Sequence, residues 1–156
     1  SLNRIVSDAV KNHQTLLIGQ GVRIEMEGLG SLKSDCPVYT DAKWASFIIG
    51  QILQNAARYR GEEPVIVLTA KPLGKQMRLS IRDNGIGIPA HELPRVFDRG
   101  FTGKNGRIRG GSTGMGLYLC RKLAAFLQMD LKITSTEGMG TEVSLTFPAK
   151  ENLTKL

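Results

Sequence analysis

The chain has 156 residues, of which 41% are hydrophobic, 22% charged and 6% aromatic, with no run of eighteen apolar residues. That is enough apolar content to close one core, it does not fit a disordered tail, and it offers no membrane-spanning helix. The formal charge of +7 favours an anionic partner, whether phosphate, nucleotide, nucleic acid or a membrane surface, without choosing among them.

Cys36 and Cys120 lie far apart with no C-x-x-C spacing, so neither a disulfide framework nor a cysteine-based zinc site is expected, and a reducing cytosol is the simplest setting. The first residues, Ser1 to Asp8, carry no apolar signal region or cleavage signature, and we expect a start inside a longer protein.

In chain order, Leu2, Ile5, Val6, Ala9, Val10, Leu16 and Leu17 follow roughly helical spacing, predicting one helix over 2–17. Val22, Ile24 and Met26 alternate with Arg23, Glu25 and Glu27, the period-two pattern of a half-buried strand. Thr40 or Asp41 then offers an N-cap for an amphipathic helix. Its buried stripe is Ala45, Ile48, Ile49, Ile52, Leu53 and Ala56, and its end is expected near Gly61. Residues 62–71 and 76–83 read as a hairpin around Pro72-Leu73-Gly74-Lys75. Residues 90–112 lack periodicity and predict a long loop with at most one helical turn. Thr113 is placed as the cap of a helix that buries Leu117, Cys120, Leu123, Ala124 and Leu127, and strands over 130–135 and 141–147 close the chain around a Glu-Gly-Met-Gly turn. Helices and an at least partly antiparallel single sheet in this order predict a two-layer α/β sandwich.

Half of the 18 glycines fall between Gly85 and Gly116, a concentration that points to close backbone approach at a site. Asp83-Asn84-Gly85-Ile86-Gly87-Ile88-Pro89 sits where an alternating strand ends. A carboxylate followed by two spaced glycines suits a ligand hydrogen-bonded at one edge and approached closely by backbone, and in isolation it suits a solvated turn equally well. Gly85-x-Gly87-x-x-Ala90 mimics a dinucleotide fingerprint, but the acid precedes the glycines and no βαβ unit follows. Gly110-Gly111-Ser112-Thr113-Gly114 mimics a hydrolase elbow, yet both histidines, His13 and His91, precede the serine, against that fold's chain order. What remains is glycine-rich backbone entering a helix, where free N–H groups and the dipole favour an anion; an ordinary flexible connector fits as well.

A P-loop is excluded, because Gly74-Lys75 is followed by Gln76 and Gly103-Lys104 by Asn105. Residues 95–109 carry Arg95, Arg99, Lys104, Arg107 and Arg109 against the acid Asp98, and charge alone favours a solvated basic loop. Gln51, Asn55 and Arg58, at i, i+4 and i+7 of the long helix, make a polar stripe. An amide oxygen beside a guanidinium suits hydrated Mg²⁺ and phosphate together, although such a stripe taken alone is more often solvent-facing. No interleaving of aromatic and basic residues supports a nucleic-acid module.

Together these segments resemble the catalytic and ATP-binding domain of bacterial sensor histidine kinases, in the superfamily shared with gyrase, heat-shock protein 90 and the mismatch-repair ATPases. Residues 51–59 (Gln-Ile-Leu-Gln-Asn-Ala-Ala-Arg-Tyr) look like the N box and Asp83 to Pro89 the G1 box. Arg95-Val96-Phe97-Asp98 resembles the F box, and Ser112 to Leu117 the G2 box. The run 97–103 with Asn105-Gly106-Arg107 and Tyr118-Leu119-Cys120 is similar to the intramembrane-sensing branch that responds to cell-envelope antibiotics and antimicrobial peptides.

The resemblance implies a Bergerat α/β sandwich with a mixed, mostly antiparallel sheet and helices on one face, spanning residues 1–156. It implies that Asp83 hydrogen-bonds the adenine amino group, that Gly85 and Gly87 shape the base pocket and that Tyr59 packs on the adenine. Asn55 is implied as the Mg²⁺ ligand and Arg58 as a phosphate contact, where lysine is common in the family. Gly114 and Gly116 are implied at the phosphate end, and Ile88, Phe97, Lys104, Thr113, Met115 and Leu117 among the nucleotide-binding residues. Phe97 and Phe101 would anchor a lid or meet the helical domain bearing the substrate histidine, and residues from about Arg99 to Gly111 are expected to move when nucleotide is absent.

In hydrolysing members of the superfamily a glutamate four residues before the N-box asparagine activates water; here that position is Gln51, whose amide cannot act as a general base. Transfer to a positioned acceptor is therefore expected. Neither His13 nor His91 has the sequence context of a phosphorylated histidine, so the acceptor is expected on a dimerisation domain upstream. The implied partners are that domain, within a homodimeric parent, and a response regulator, with no nucleic acid. The parent is expected to be an integral bacterial membrane protein with this domain in the cytoplasm. Two rivals remain, a related serine kinase acting on an anti-sigma antagonist and an ATP-gated interaction module without transfer.

Overall fold

The computed structural model describes residues 1–28, 37–103 and 115–150. Two helices, α1 (Leu2–Asn12) and α2 (Gln14–Gly19), precede strand β1 (Arg23–Glu27) and the long helix α3 (Ala42–Arg58). Strands β2 (Val65–Leu73) and β3 (Gln76–Asp83) follow, then a single 3₁₀ turn at Leu93–Arg95, helix α4 (Gly116–Phe126), and strands β4 (Asp130–Thr136) and β5 (Gly140–Phe147).

The five strands form one sheet in the order β1-β2-β3-β5-β4. β1 runs parallel to β2, and the other three pairings are antiparallel. Because side chains alternate across a strand, the register fixes the rows on each face. One row is Ala70, Leu79, Leu145 and Leu131, and the next is Leu68, Ile81, Val143 and Ile133. These rows join Ile48, Ile49 and Leu53 of α3 and Leu2 and Val6 of α1 in one buried cluster. Each fully buried large aliphatic side chain contributes about 1.5–3 kcal/mol. The opposite face carries polar rows such as Arg78 beside Thr146 and Arg82 beside Glu142. The result is the two-layer sandwich with helices on one face and a mostly antiparallel sheet.

Three elements differ from the sequence expectation. The first helix is broken at His13, whose φ of −111° and ψ of 11° end α1 and begin α2. The bend turns Leu17 into the core and leaves Leu16 and Ile18 exposed. Helix α3 is capped by the Asp41 carboxylate, which accepts the Trp44 N–H at 3.1 Å, and it stops at Arg58 rather than near Gly61 because Tyr59 turns away to bond the glycine segment after β3. The hairpin turn is also tighter than expected. Leu73 pairs with Gln76, so only Gly74 and Lys75 form the loop, with Gly74 at φ +59°, a geometry that suits a two-residue hairpin. The expected cap Thr113 lies outside the described residues, as do 104–109 of the basic segment and 104–111 of the segment expected to move.

Candidate functional site

The third row of the helix-facing side of the sheet breaks the apolar pattern. Ile66 is followed across the sheet by Asp83, Thr141 and Ser135. Strand alternation thus aims Asp83 the same way as Ile81 and Leu79, at the edge where the core opens. The carboxylate accepts the Gly85 N–H at 2.9 Å and the backbone N–H of Thr141. Burial pushes its carboxyl above the ordinary carboxylate value, and those two N–H groups pull it part of the way back. Ser135 Oγ accepts the Ile88 N–H at 2.8 Å, donates to the Gly140 carbonyl at 2.9 Å and lies 2.8 Å from Thr141 Oγ1.

The end of α3 is tied to the segment after β3 by backbone. Ile86 N–H donates to the Tyr59 carbonyl at 3.0 Å, and Gly138 N–H donates to the Ile86 carbonyl at 2.7 Å. Gly85 is required by this approach, since a Cβ there would stand 2.5 Å from the Tyr59 carbonyl oxygen. Gly87 adopts φ +71°, and a Cβ on it would collide with the Thr136 carbonyl. Asn84 joins the same junction to β2, its Oδ1 accepting the Val65 N–H at 2.9 Å and its Nδ2 donating to the Glu63 carbonyl at 3.1 Å.

Between α3, this junction and the start of α4 lies a cleft of about 260 Å³. Ile52, Ile88, Leu117, Ile133 and Val143 form apolar walls, while Gln51, Asn55 and Arg58 come from α3 and Asp83 and Thr141 from the sheet. A slot with apolar walls and the half-buried Asp83 carboxylate among them suits a flat heterocycle that presents an amine, and the amides and guanidinium along α3 suit an anionic tail.

Of the residues singled out from the sequence, Gln51, Asn55, Arg58, Tyr59, Asp83, Gly87, Ile88, Phe101, Gly116 and Leu117 line this cleft. Gly85 shapes it through backbone without lining it. Met115 precedes α4 as its N-cap and is not among the lining residues. Phe97 does not line it either: the ring packs partly buried against the core, with the Arg121 guanidinium 4.1 Å from its centroid. Lys104, Thr113 and Gly114 lie outside the described residues. His91 is 81% exposed at its side chain, in keeping with a surface role. Sequence reasoning passed over Ser135, Thr141 and Glu92, which carry no motif of their own; only the strand register and a shared cavity bring them in.

Residues 40–151 match the model of the histidine kinase-, DNA gyrase B-, and HSP90-like ATPase family, and the chain belongs to that family. It is 38% identical over 152 residues to the sensor protein BceS of Halalkalibacterium halodurans, covering 97% of this chain and 43% of that protein. It is 37% identical over 153 residues to the sensor protein kinase GraS of Staphylococcus aureus, covering 98% of this chain and again 43% of that protein. The chain therefore spans less than half the length of these relatives. Among solved structures, the fold matches the mycobacterial sensor histidine kinase MprB with a TM-score of 0.77 at 17% identity, covering 95% of this chain and 94% of that one. It matches the catalytic domain of the histidine kinase ThkA with a TM-score of 0.75 at 20% identity, covering 96% and 94%.

Proposed function

We propose that this chain is the ATP-binding catalytic domain of a sensor histidine kinase, which positions the γ-phosphoryl group of ATP for transfer to a histidine on a helical domain elsewhere in the parent protein. The observation that carries it is the placement of Asp83 in an apolar slot with Asn55 and Arg58 on the facing helix. Asp83 takes the adenine amine while its own charge is held by two backbone N–H groups, and Tyr59 and Ile88 cover the base. Arg58 holds the phosphates.

The donors present suit Mg²⁺. Among the described residues no group of three or more His, Cys, Asp or Glu side chains could hold a metal alone. Mg²⁺ keeps several waters and needs only one or two protein oxygens beside phosphate. The Asn55 amide oxygen would supply one, and the bound ion would offset charge on the transferring group. Gln51 offers no carboxylate to activate water, so the domain holds ATP without spending it until an acceptor arrives.

The parent is read as a membrane sensor in the cytoplasmic two-component circuit, acting on a response regulator. Support comes from the two sensor proteins that match nearly all of this chain, and the resemblance of residues 97–103, 105–107 and 118–120 to the intramembrane-sensing branch extends the reading to cell-envelope stress. No described helix is long and apolar enough to cross a membrane.

The test supplies the upstream histidine-bearing hairpin in trans with Mg²⁺-ATP. An acid-labile, base-stable phosphoryl product on the hairpin is expected, and none with Asn55→Ala. An acid-stable product would redirect the reading to a serine kinase, and ATP binding without any product to an interaction module.

A further inference from the structure

Glu92 lies between the nucleotide cleft and a neighbouring cavity lined by His91, Arg95, Phe101 and Gly103. Its side chain is only 12% exposed, unusual for a glutamate on an irregular segment. Backbone bonds fix its position, since Glu92 N–H donates to the Pro89 carbonyl at 2.9 Å and the Glu92 carbonyl accepts the Arg95 N–H at 2.9 Å. The two carboxylate oxygens face different ways. Oε2 is 3.7 Å from His91 Nε2, and Oε1 lies against Gly103, so close that a Cβ on that residue would collide with it. Gly103 also has φ +66°, so both its backbone and its missing side chain are used.

The segment that Glu92 touches forms part of the cleft wall. Phe101 and Thr102 both line the cleft. Phe101 is held from the far side by Arg95, whose guanidinium is 4.5 Å from the ring centroid and whose Nε is 3.6 Å from Asp98 Oδ2. The turn 92–95 therefore grips this short wall twice, through the ring of Phe101 and through the backbone of Gly103.

We infer that Glu92 is a positioning residue for nucleotide binding: its carboxylate seats Gly103 and thereby holds Phe101 and Thr102 as a wall of the ATP cleft. This rests on the reading of the cleft as an ATP site. The wall must be in place for ligand to bind, so loss of the seat lowers the binding-competent fraction, and the apparent affinity falls by the same factor. The seat works through the shape of the planar carboxylate against Gly103, which a carboxamide reproduces.

The experiment is calorimetric titration of the 156-residue chain with Mg²⁺-ATP, with thermal unfolding of each variant as a control for the fold. Glu92→Ala is expected to bind ATP about five- to tenfold more weakly, as a competent fraction of roughly 10–20% requires, at an unfolding midpoint close to the parent's. Glu92→Gln is expected to bind within about twofold of the parent, because fit is preserved. Gly103→Ala alone should weaken binding as well, and in the Glu92→Ala background it should cost at least about threefold less, because contacting residues are not additive. Unchanged affinity in Glu92→Ala, additive effects of the two changes, or a Gln variant as weak as the Ala variant would each overturn the inference while the parent still binds ATP. A parent that binds no ATP would instead overturn the reading of the cleft, and this inference with it.

Discussion

Asp83 and Thr141 stand opposite one another in the β3–β5 ladder, and the Thr141 backbone N–H donates to the Asp83 carboxylate. A ladder position that elsewhere carries Leu79 opposite Leu145 and Ile81 opposite Val143 here holds an acid on the core-facing side. The sheet thus keeps a carboxylate where its own packing would prefer a hydrocarbon.

Asp83→Asn separates these two roles. Base recognition should weaken by about 1.5–3 kcal/mol, the usual size of a hydrogen bond to a charged group, read as lost ATP affinity in calorimetry. The fold without ligand should be at least as stable at neutral pH. The sign follows from burial: a carboxyl whose folded pKa lies above its ordinary 3.8 favours folding below that value, and the advantage is lost as pH rises through the folded pKa. The neutral amide escapes that loss. Unchanged ATP affinity, or a variant much less stable than the parent at pH 7, would contradict this account.

Gly87 and Gly138 both sit at positive φ, +71° and +82°, but only Gly87 is crowded. Alanine at Gly138 meets nothing within 4 Å and should cost only the left-handed backbone penalty of about 1–2 kcal/mol. Alanine at Gly87 pays that penalty and also collides with the Thr136 carbonyl. Denaturant titration should rank Gly87→Ala clearly below Gly138→Ala, with ATP binding impaired only in the former.

Much of this was readable in the chain. The stripe Ala45, Ile48, Ile49, Ile52, Leu53 and Ala56 is buried as its spacing requires, and the alternation in 76–83 is strand β3. Asp83 was legible through the resemblance of residues 83–89 to the G1 box, since a strand that ends on an acid before two glycines suits a solvated turn equally well when taken alone. The break at His13 was not, since the apolar spacing runs through it. Ser135 and Thr141 were invisible for a different reason: each is an ordinary strand residue, and they acquire a role only through the register that lines them up with Asp83. Phe97 is a motif residue whose ring packs on the core beneath Arg121 and does not line the cleft.

The break at His13 carries a pH dependence. Its Nδ1 lies 3.1 Å from Gln54 Nε2, a contact that suits an unprotonated Nδ1 accepting from the amide. The ring also presses on Gly50, where a Cβ would collide with Nε2. Burial lowers its pKa below the ordinary 6.5. A histidine with a depressed folded pKa stabilises the fold above its unfolded pKa, and that contribution is lost as pH falls through the folded value. Stability should therefore drop on acidification below about 6.5, and His13→Gln should flatten that part of the profile. A parent equally stable on both sides of this window would refute it.

Gln51 and Gly116 make the last test. Gln51 lines the cleft, and its Oε1 lies 2.9 Å from the point where a Cβ on Gly116 would stand, so the amide rests against the first residue of α4. The unpaired N–H groups of a helix start favour a negative charge, and a carboxylate placed here would stay ionised and able to accept a proton. Positioned general bases are worth about 10²–10⁴-fold, and even a poorly aligned one retains part of that. Gln51→Glu is therefore expected to raise phosphate release from ATP by about tenfold or more over the parent, which should release almost none. Nucleotide affinity should stay near the parent's, because the exchange conserves shape. Adding Asn55→Ala to the Gln51→Glu chain should remove the release, showing that it arises in this cleft and not from a contaminant. If Gln51→Glu releases no more phosphate than the parent, the neutral amide is not what withholds hydrolysis. The missing acceptor and the alignment of the γ-phosphoryl group would then have to account for it.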